Sequence, residues 1–216
     1  SGLVANTGVG YRAGYYNTTG TKNTYIGYHS GFGVSSNANG SNTGVGYRSL
    51  FAVTTGGSNT ALGESAGSGI TTASGSVIIG MDTGNTITTG NMNIAIGHDA
   101  MSGGTVTGDN NIAIGKSTGD AISSGYQNVL LGGEAGGAIN SGYLNTVIGH
   151  EAGKAITTGI ANTILGWNAG LALQTGHNNV FIGREAGKGV TTTVQNIISI
   201  GHGSATGVMT TAANAS

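Results

Sequence analysis

A glycine returns at nearly constant spacing from one end of this 216-residue chain to the other. Aligned on Asn-x-x-(Ile/Val/Leu)-Gly, the chain reads as twelve units. They start at Asn6, Asn23, Asn42, Asn59, Ser76, Asn93, Asn111, Asn128, Asn145, Asn162, Asn179 and Asn196, the last with one extra residue before its glycine. The spacing is 17 residues except for one of 19 and one of 18. Glycine holds position 5 of every unit, as in NTVIGHEAGKAITTGIA from Asn145 to Ala161. Such a period is too short for a helix pair or a propeller blade. Helix is also opposed by 44 glycines, at roughly 1 kcal/mol for each interior glycine relative to alanine.

The period fits one coil of an all-β solenoid or β-roll. Positions 1–4 are predicted as a first strand, glycine 5 as a bend, positions 11–14 as a second strand and position 15 as a second turn. Neighbouring coils stacked at ~4.8 Å would make a rod on the order of 55–60 Å long. The array is expected to be a single unit over residues 1–216, with repeats from about 6 to 207. The two long spacings place small loop insertions near Ser35–Ser41 and Ser102–Thr105. The chain starts at Ser1 rather than methionine, so a fragment or processed product is expected.

Position 4 is aliphatic in every unit, as at Val9, Ile26, Ile148 and Leu165, and position 12 nearly so, as at Val34, Val53, Ile156 and Val190. These two columns are expected to line the core. Position 3 falls on the opposite face of the strand, yet it too is mostly apolar. Val147, Ile164 and Phe181 are examples. A strand apolar on both faces needs cover on both, and the chain offers no other element. The expectation is a parallel homotrimer with Val147, Ile164 and Phe181 at the subunit interface.

Composition closes other routes. With no cysteine there is no zinc ribbon or disulfide scaffold. With no proline and no glycine at every third residue, collagen is excluded. A net charge of −1 leaves no electrostatic footprint for nucleic acid. No apolar run approaches the ~20 residues of a membrane helix, so membrane insertion is not expected.

The units NTALGESAGSGITTASG (59–75) and NTGVGYRSLFAVTTGGS (42–58) resemble repeats of tail-fibre-like proteins of bacteriophages and bacteria. The segments NIAIGHDAMSGG (93–104) and NIAIGKSTGD (111–120) are similar to repeats in the heads of trimeric autotransporter adhesins, which are β-rolls within a trimer. The resemblance spans about Asn6 to Gly207. It implies a fibre or adhesin on a virion tail or a cell surface.

Chemical motifs are sparse. His98-Asp99 and His150-Glu151 follow the position-5 glycine, but no third catalytic partner recurs, and both read as solvent-facing turn residues. The four aspartates Asp82, Asp99, Asp109 and Asp120 are expected not to share one column, and no calcium nonapeptide occurs. Neither metal nor cofactor is expected. Paired threonines such as Thr54-Thr55 and Thr157-Thr158 alternate faces, so they suit coil-to-coil hydrogen bonding rather than two flat ice-binding ranks. The asparagines at position 1 are predicted to stack as a buried ladder.

Aromatics cluster at the start. Tyr11, Tyr28 and Tyr47 share position 6, with Arg12, His29 and Arg48 beside them at position 7. Tyr15, Tyr16, Tyr25, Phe32 and Phe51 lie close by in sequence. Trp167 and Arg184 hold position 6 further on. Tyrosine with arginine makes recognition surface, so Tyr11, Arg12, Tyr28, His29, Tyr47, Arg48, Trp167 and Arg184 are the candidate contacts for a cell-surface glycan or receptor. The resulting expectation is a non-enzymatic fibre shaft or adhesive head. The alternative is a structural subunit of an extracellular filament without a specific receptor.

Overall fold

The computed structural model describes residues 5–34, 37–191 and 193–205. The chain divides into two compact units, 1–110 and 111–216. The division falls at a repeat start, Asn111, after the 18-residue spacing that begins at Asn93.

In the first unit six three-residue strands follow one another: β1 (Thr7–Val9), β2 (Thr24–Ile26), β3 (Thr43–Val45), β4 (Thr60–Leu62), β5 (Val77–Ile79) and β6 (Ile94–Ile96). Each pairs in parallel with the next, so that Thr7 lies opposite Thr24 and Thr24 opposite Thr43. The second unit repeats the plan with β7 (Ile112–Ile114), β8 (Val129–Leu131), β9 (Thr146–Ile148), β10 (Thr163–Leu165), β11 (Val180–Ile182) and β12 (Ile198–Ile200). There Thr146, Thr163 and Val180 stand in one row. Both units are parallel β-solenoids, and no helix occurs among the described residues.

The second strand predicted over positions 11–14 does not form. That stretch bends, and it is tied from coil to coil by isolated bridges such as Ile87 to Val106. Threonine hydroxyls add to the tie: Thr54 Oγ1 donates to Thr71 C=O at 2.9 Å, and Thr71 Oγ1 to Thr88 C=O at 3.1 Å.

Position 1 decides which way the strand faces. Each asparagine amide turns into the coil, where Asn145 Nδ2 donates to Gly159 C=O at 2.8 Å. Strand alternation then carries position 3 inward and sends positions 2 and 4 outward. Val147, Ile164 and Phe181 are completely buried within their own chain. They are core residues, not the subunit interface that the sequence suggested. The expected core column at position 4 faces outward instead: Leu62 is 48 % exposed, Leu131 42 % and Leu165 43 %. Position 12 does line the core, with Val53, Ile70, Ile122, Ile156 and Val190 all buried. At roughly 1.5–3 kcal/mol per buried aliphatic side chain, positions 3 and 12 are the main hydrophobic support of most coils.

Two register assignments differ from the sequence reading. Val34 was placed in the position-12 column but is 49 % exposed. Asn37 takes that place, bridging to Asn17 and donating from Nδ2 to Val53 C=O at 3.3 Å. The first insertion therefore lies before Asn37. In the last unit Ile197, not Asn196, stands in the asparagine column, and its N–H donates to Asn179 Oδ1 at 3.0 Å.

Core volume is balanced between neighbours. Tyr25 is flanked in its row by Gly8 and Gly44, and its hydroxyl donates to Asn39 Oδ1 at 2.8 Å. Burial pushes the Tyr25 phenol well above its ordinary pKa, which keeps it a neutral donor. Where position 3 is only Gly44 or Ala95, position 9 of the same coil carries a buried Leu50 or Met101 in place of glycine.

The position-5 glycine column has a steric cause. Gly149 sits at φ +133°, and a Cβ there would lie 2.5 Å from the carbonyl oxygen of Gly166 in the next coil. Only glycine lets backbones stack this closely with φ positive. Two residues later the chain again adopts left-handed φ, now at non-glycine positions such as Arg12 (54°), Asp82 (53°) and Glu151 (54°). Position 7 therefore stands at a tight corner of every coil.

Candidate functional site

The corner of the first three coils carries a strip of rings and guanidiniums. Position 6 supplies Tyr11, Tyr28 and Tyr47, whose rings stack at 5.3 and 5.5 Å between centroids and within 18° of parallel. The three tyrosines are 57, 45 and 47 % exposed. The spacing follows from the parallel strand repeat, since each coil adds about 4.8 Å.

A second ladder runs beside the first. Tyr15, Phe32 and Phe51 share position 10 and stack at 5.7 and 5.2 Å. Sequence reading named these residues but did not place them in one column. Their common position in the repeat was the available signal. Between the ladders lies position 7. The Arg12 guanidinium carbon is 5.1 Å from the Tyr11 ring and 5.0 Å from the Tyr15 ring. Arg48 sits 4.2 Å over Phe51. His29 stacks 4.0 Å from Tyr28 and lies 4.6 Å from Phe32. The left-handed corner at position 7 sets these groups between the ring columns.

Charge in the strip is arranged by column. Desolvation lowers the His29 pKa from the usual imidazole value, and the Arg12 and Arg48 guanidiniums lower it further. His29 is therefore neutral at physiological pH, and its Nε2 is buried without a hydrogen-bond partner. It acts as a ring in the stack, while the two arginines carry the charge. Cation–π contact holds each guanidinium over a ring, and guanidinium N–H groups are donors suited to hydroxyl or carboxylate groups. The six expected residues Tyr11, Arg12, Tyr28, His29, Tyr47 and Arg48 thus form one continuous surface.

In the second unit Trp167 is 42 % exposed. Arg184 covers its ring at 4.8 Å and Lys188 approaches at 5.9 Å. Lys188 also pairs with Glu185 at 2.9 Å, which holds the Glu185 carboxyl below the usual range. The same unit has an open groove of about 690 Å³, walled by Asp120, Glu134, Lys154 and Leu171 with Gly137 and Ala138 among its lining. Lys154 bridges Glu134 at 2.5 Å and Glu151 at 2.8 Å. These hydrogen bonds hold the Glu134 carboxyl below its ordinary pKa and raise that of Lys154. Glu134 and Lys154 of the groove are thus engaged with each other.

His98 and Asp99 contact each other, with Nδ1 2.9 Å from Oδ2. The four aspartates do not share one column, but two of them do: Asp82 and Asp99 both occupy position 7, in consecutive coils.

The fold defines a class, the parallel β-solenoid repeat proteins. Compared with family models, with curated proteins and with solved structures, the chain matches none. No helix among the described residues is long and apolar enough to cross a membrane.

Proposed function

We propose that this chain is a non-enzymatic fibre or adhesin module, placed on a virion tail or a cell surface, that presents coil corners to a cell-surface glycan. The observation that carries this reading is the strip of two aromatic ladders with Arg12 and Arg48 between them. Flat ring faces pack against sugar rings, and guanidinium edges bond hydroxyls or an acidic sugar. Trp167 with Arg184 offers a smaller surface of the same kind.

The assembly proposed with it is a parallel homotrimer, and its contact belongs to the outward columns rather than to Val147, Ile164 and Phe181. Positions 2 and 4 hold only threonine, valine, isoleucine and leucine in every coil, with no charged residue. A second copy carries the same rows at the same period, so its apolar ranks match in register. Three copies would also add avidity to weak single contacts.

The test is binding to a glycan array by the intact chain and by the variant Tyr11→Ser/Tyr28→Ser/Tyr47→Ser. The variant is expected to keep its β circular dichroism, because these side chains are exposed, and to lose binding. A folded variant that binds as well as the parent would reject the strip as the contact. Absence of binding by the parent to any glycan would favour the plain filament subunit.

A further inference from the structure

Asp82 and Asp99 hold the same corner in consecutive coils, at left-handed φ of 53° and 56°. One carboxylate oxygen from each and one imidazole nitrogen of His98 all lie within 4.8 Å of one another. Like charges in adjacent rows repel, and a cation held between them would relieve that repulsion. The second unit shows such an arrangement. Glu134 and Glu151 stand at the same corner of two consecutive coils, and the Lys154 ammonium bridges both.

No such lysine serves Asp82 and Asp99. The sequence has no lysine or arginine between Arg48 and Lys116, although Glu64, Asp82, Asp99 and Asp109 lie in that interval. Asp109 is taken up by the Asn91 main-chain N–H. Lys154 comes from the later coil of its pair, beside Glu151; its counterpart beside Asp99 is Ser102, whose hydroxyl donates to the Asp99 C=O at 3.1 Å, and the same position beside Asp82 is Asn85, whose Oδ1 is buried with no hydrogen-bond partner. What the corner offers instead of an ammonium is an imidazole with two carboxylates.

We infer that Asp82, His98 and Asp99 form a site for one divalent transition cation of the zinc type. One nitrogen and two carboxylate oxygens suit a borderline metal, which takes four ligands at roughly 2 Å with water completing the set. Calcium asks for about six to eight oxygens, which three side chains do not supply. Asp82 and Asp99 are half-buried and His98 is exposed, so the side chains can close the short remaining distance by rotation. Because the donors come from two coils, the ion staples coil 5 to coil 6 in the role that Lys154 plays elsewhere.

The experiment is calorimetric titration of chelator-treated protein with zinc chloride, with histidine side-chain NMR at one equivalent. One saturable site per chain is expected, with the His98 ring resonances moving and those of His29, His150, His177 and His202 unmoved. Asp82→Asn and His98→Gln should each weaken binding at least tenfold, while Glu134→Gln leaves it unchanged. Circular dichroism confirms that each variant is folded, and zinc should raise the thermal midpoint of the parent but not of His98→Gln. Binding of equal strength in the folded variants, calcium binding as tight as zinc, or resonance shifts at another histidine would overturn the assignment.

Discussion

Asn145 donates twice to a single oxygen of its neighbour: its main-chain N–H reaches Asn128 Oδ1 at 3.1 Å and its Nδ2 reaches the same atom at 3.0 Å. Its other amide hydrogen goes to Gly159 C=O at 2.8 Å. In turn its own Oδ1 accepts both the main-chain N–H and the Nδ2 of Asn162. The side chain is buried and its amide is fully used, so it joins three coils and one turn at once.

Removing this amide should cost more than removing an equally buried methyl group. Asn145→Ala leaves the Asn162 donors and the Gly159 carbonyl unpaired inside the coil, at about 1–3 kcal/mol for each buried group. A total loss of about 3 kcal/mol or more is expected, read as a lower urea midpoint. Asn145→Ser should lose less, because the chain itself uses serine in this column: Ser76 Oγ accepts the Asn93 N–H at 3.2 Å. Equal midpoints for parent and Asn145→Ala would contradict the ladder's role.

The ladder also explains what sequence alone resolved and what it did not. The period, the glycine column and the absence of helix were legible because stacking repeats each steric demand at one position, as Gly149 against Gly166 shows. The orientation of the strand was legible too, had the two expectations been joined. A buried Asn145 forces Val147 inward by simple alternation, which leaves Ile148 outward. Apolarity alone could not distinguish these faces, since both columns are aliphatic. The Val34 error has another source. An insertion shifts register locally, and Asn37 in the core donates from its amide to Val53 C=O, a contact that no periodic count reveals. Of the candidate site, the position-6 tyrosines were visible from their spacing. The corner at position 7 was not, because eleven coils adopt left-handed backbone there with ordinary side chains such as Arg12 and Glu185.

The reversed orientation separates two substitutions that the apolar pattern treats alike. Val147 is wholly buried and Leu165 is 43 % exposed. Val147→Asp places a carboxylate in the coil interior with no partner, a burial that folded chains avoid, and is expected to unfold the second unit. Leu165→Asp should keep the β spectrum and lower the oligomeric state, because it sets like charges on the face proposed to meet a second copy. Circular dichroism reads the first outcome and light scattering the second. A folded Val147→Asp would show that position 3 does not face inward. A folded Leu165→Asp with unchanged mass would remove the outward columns as the subunit contact.

His29 makes the aromatic strip sensitive to mild acid. Its pKa in the fold lies below that of the unfolded chain, through partial desolvation first and the Arg12 and Arg48 charges next. The unfolded chain therefore binds the proton at higher pH than the folded one. The sign follows from linkage: stability contributed by neutral His29 is present above the usual imidazole range and is lost as pH falls from there toward the lowered folded value. Glu134 and Glu185 also have depressed values, but their contribution is lost only at lower pH, below the usual carboxylate range. Comparing the change in thermal midpoint between about pH 7 and about pH 5 in the parent and in His29→Gln thus isolates this histidine. The parent should lose stability across that interval, and His29→Gln should lose less because it has no proton to take up. Arg12→Gln should move the His29 ring titration upward in NMR, since one of the two opposing charges is gone. Identical pH slopes for the parent and His29→Gln, together with an unmoved titration in Arg12→Gln, would show that the guanidiniums and the imidazole do not act on one another across the strip.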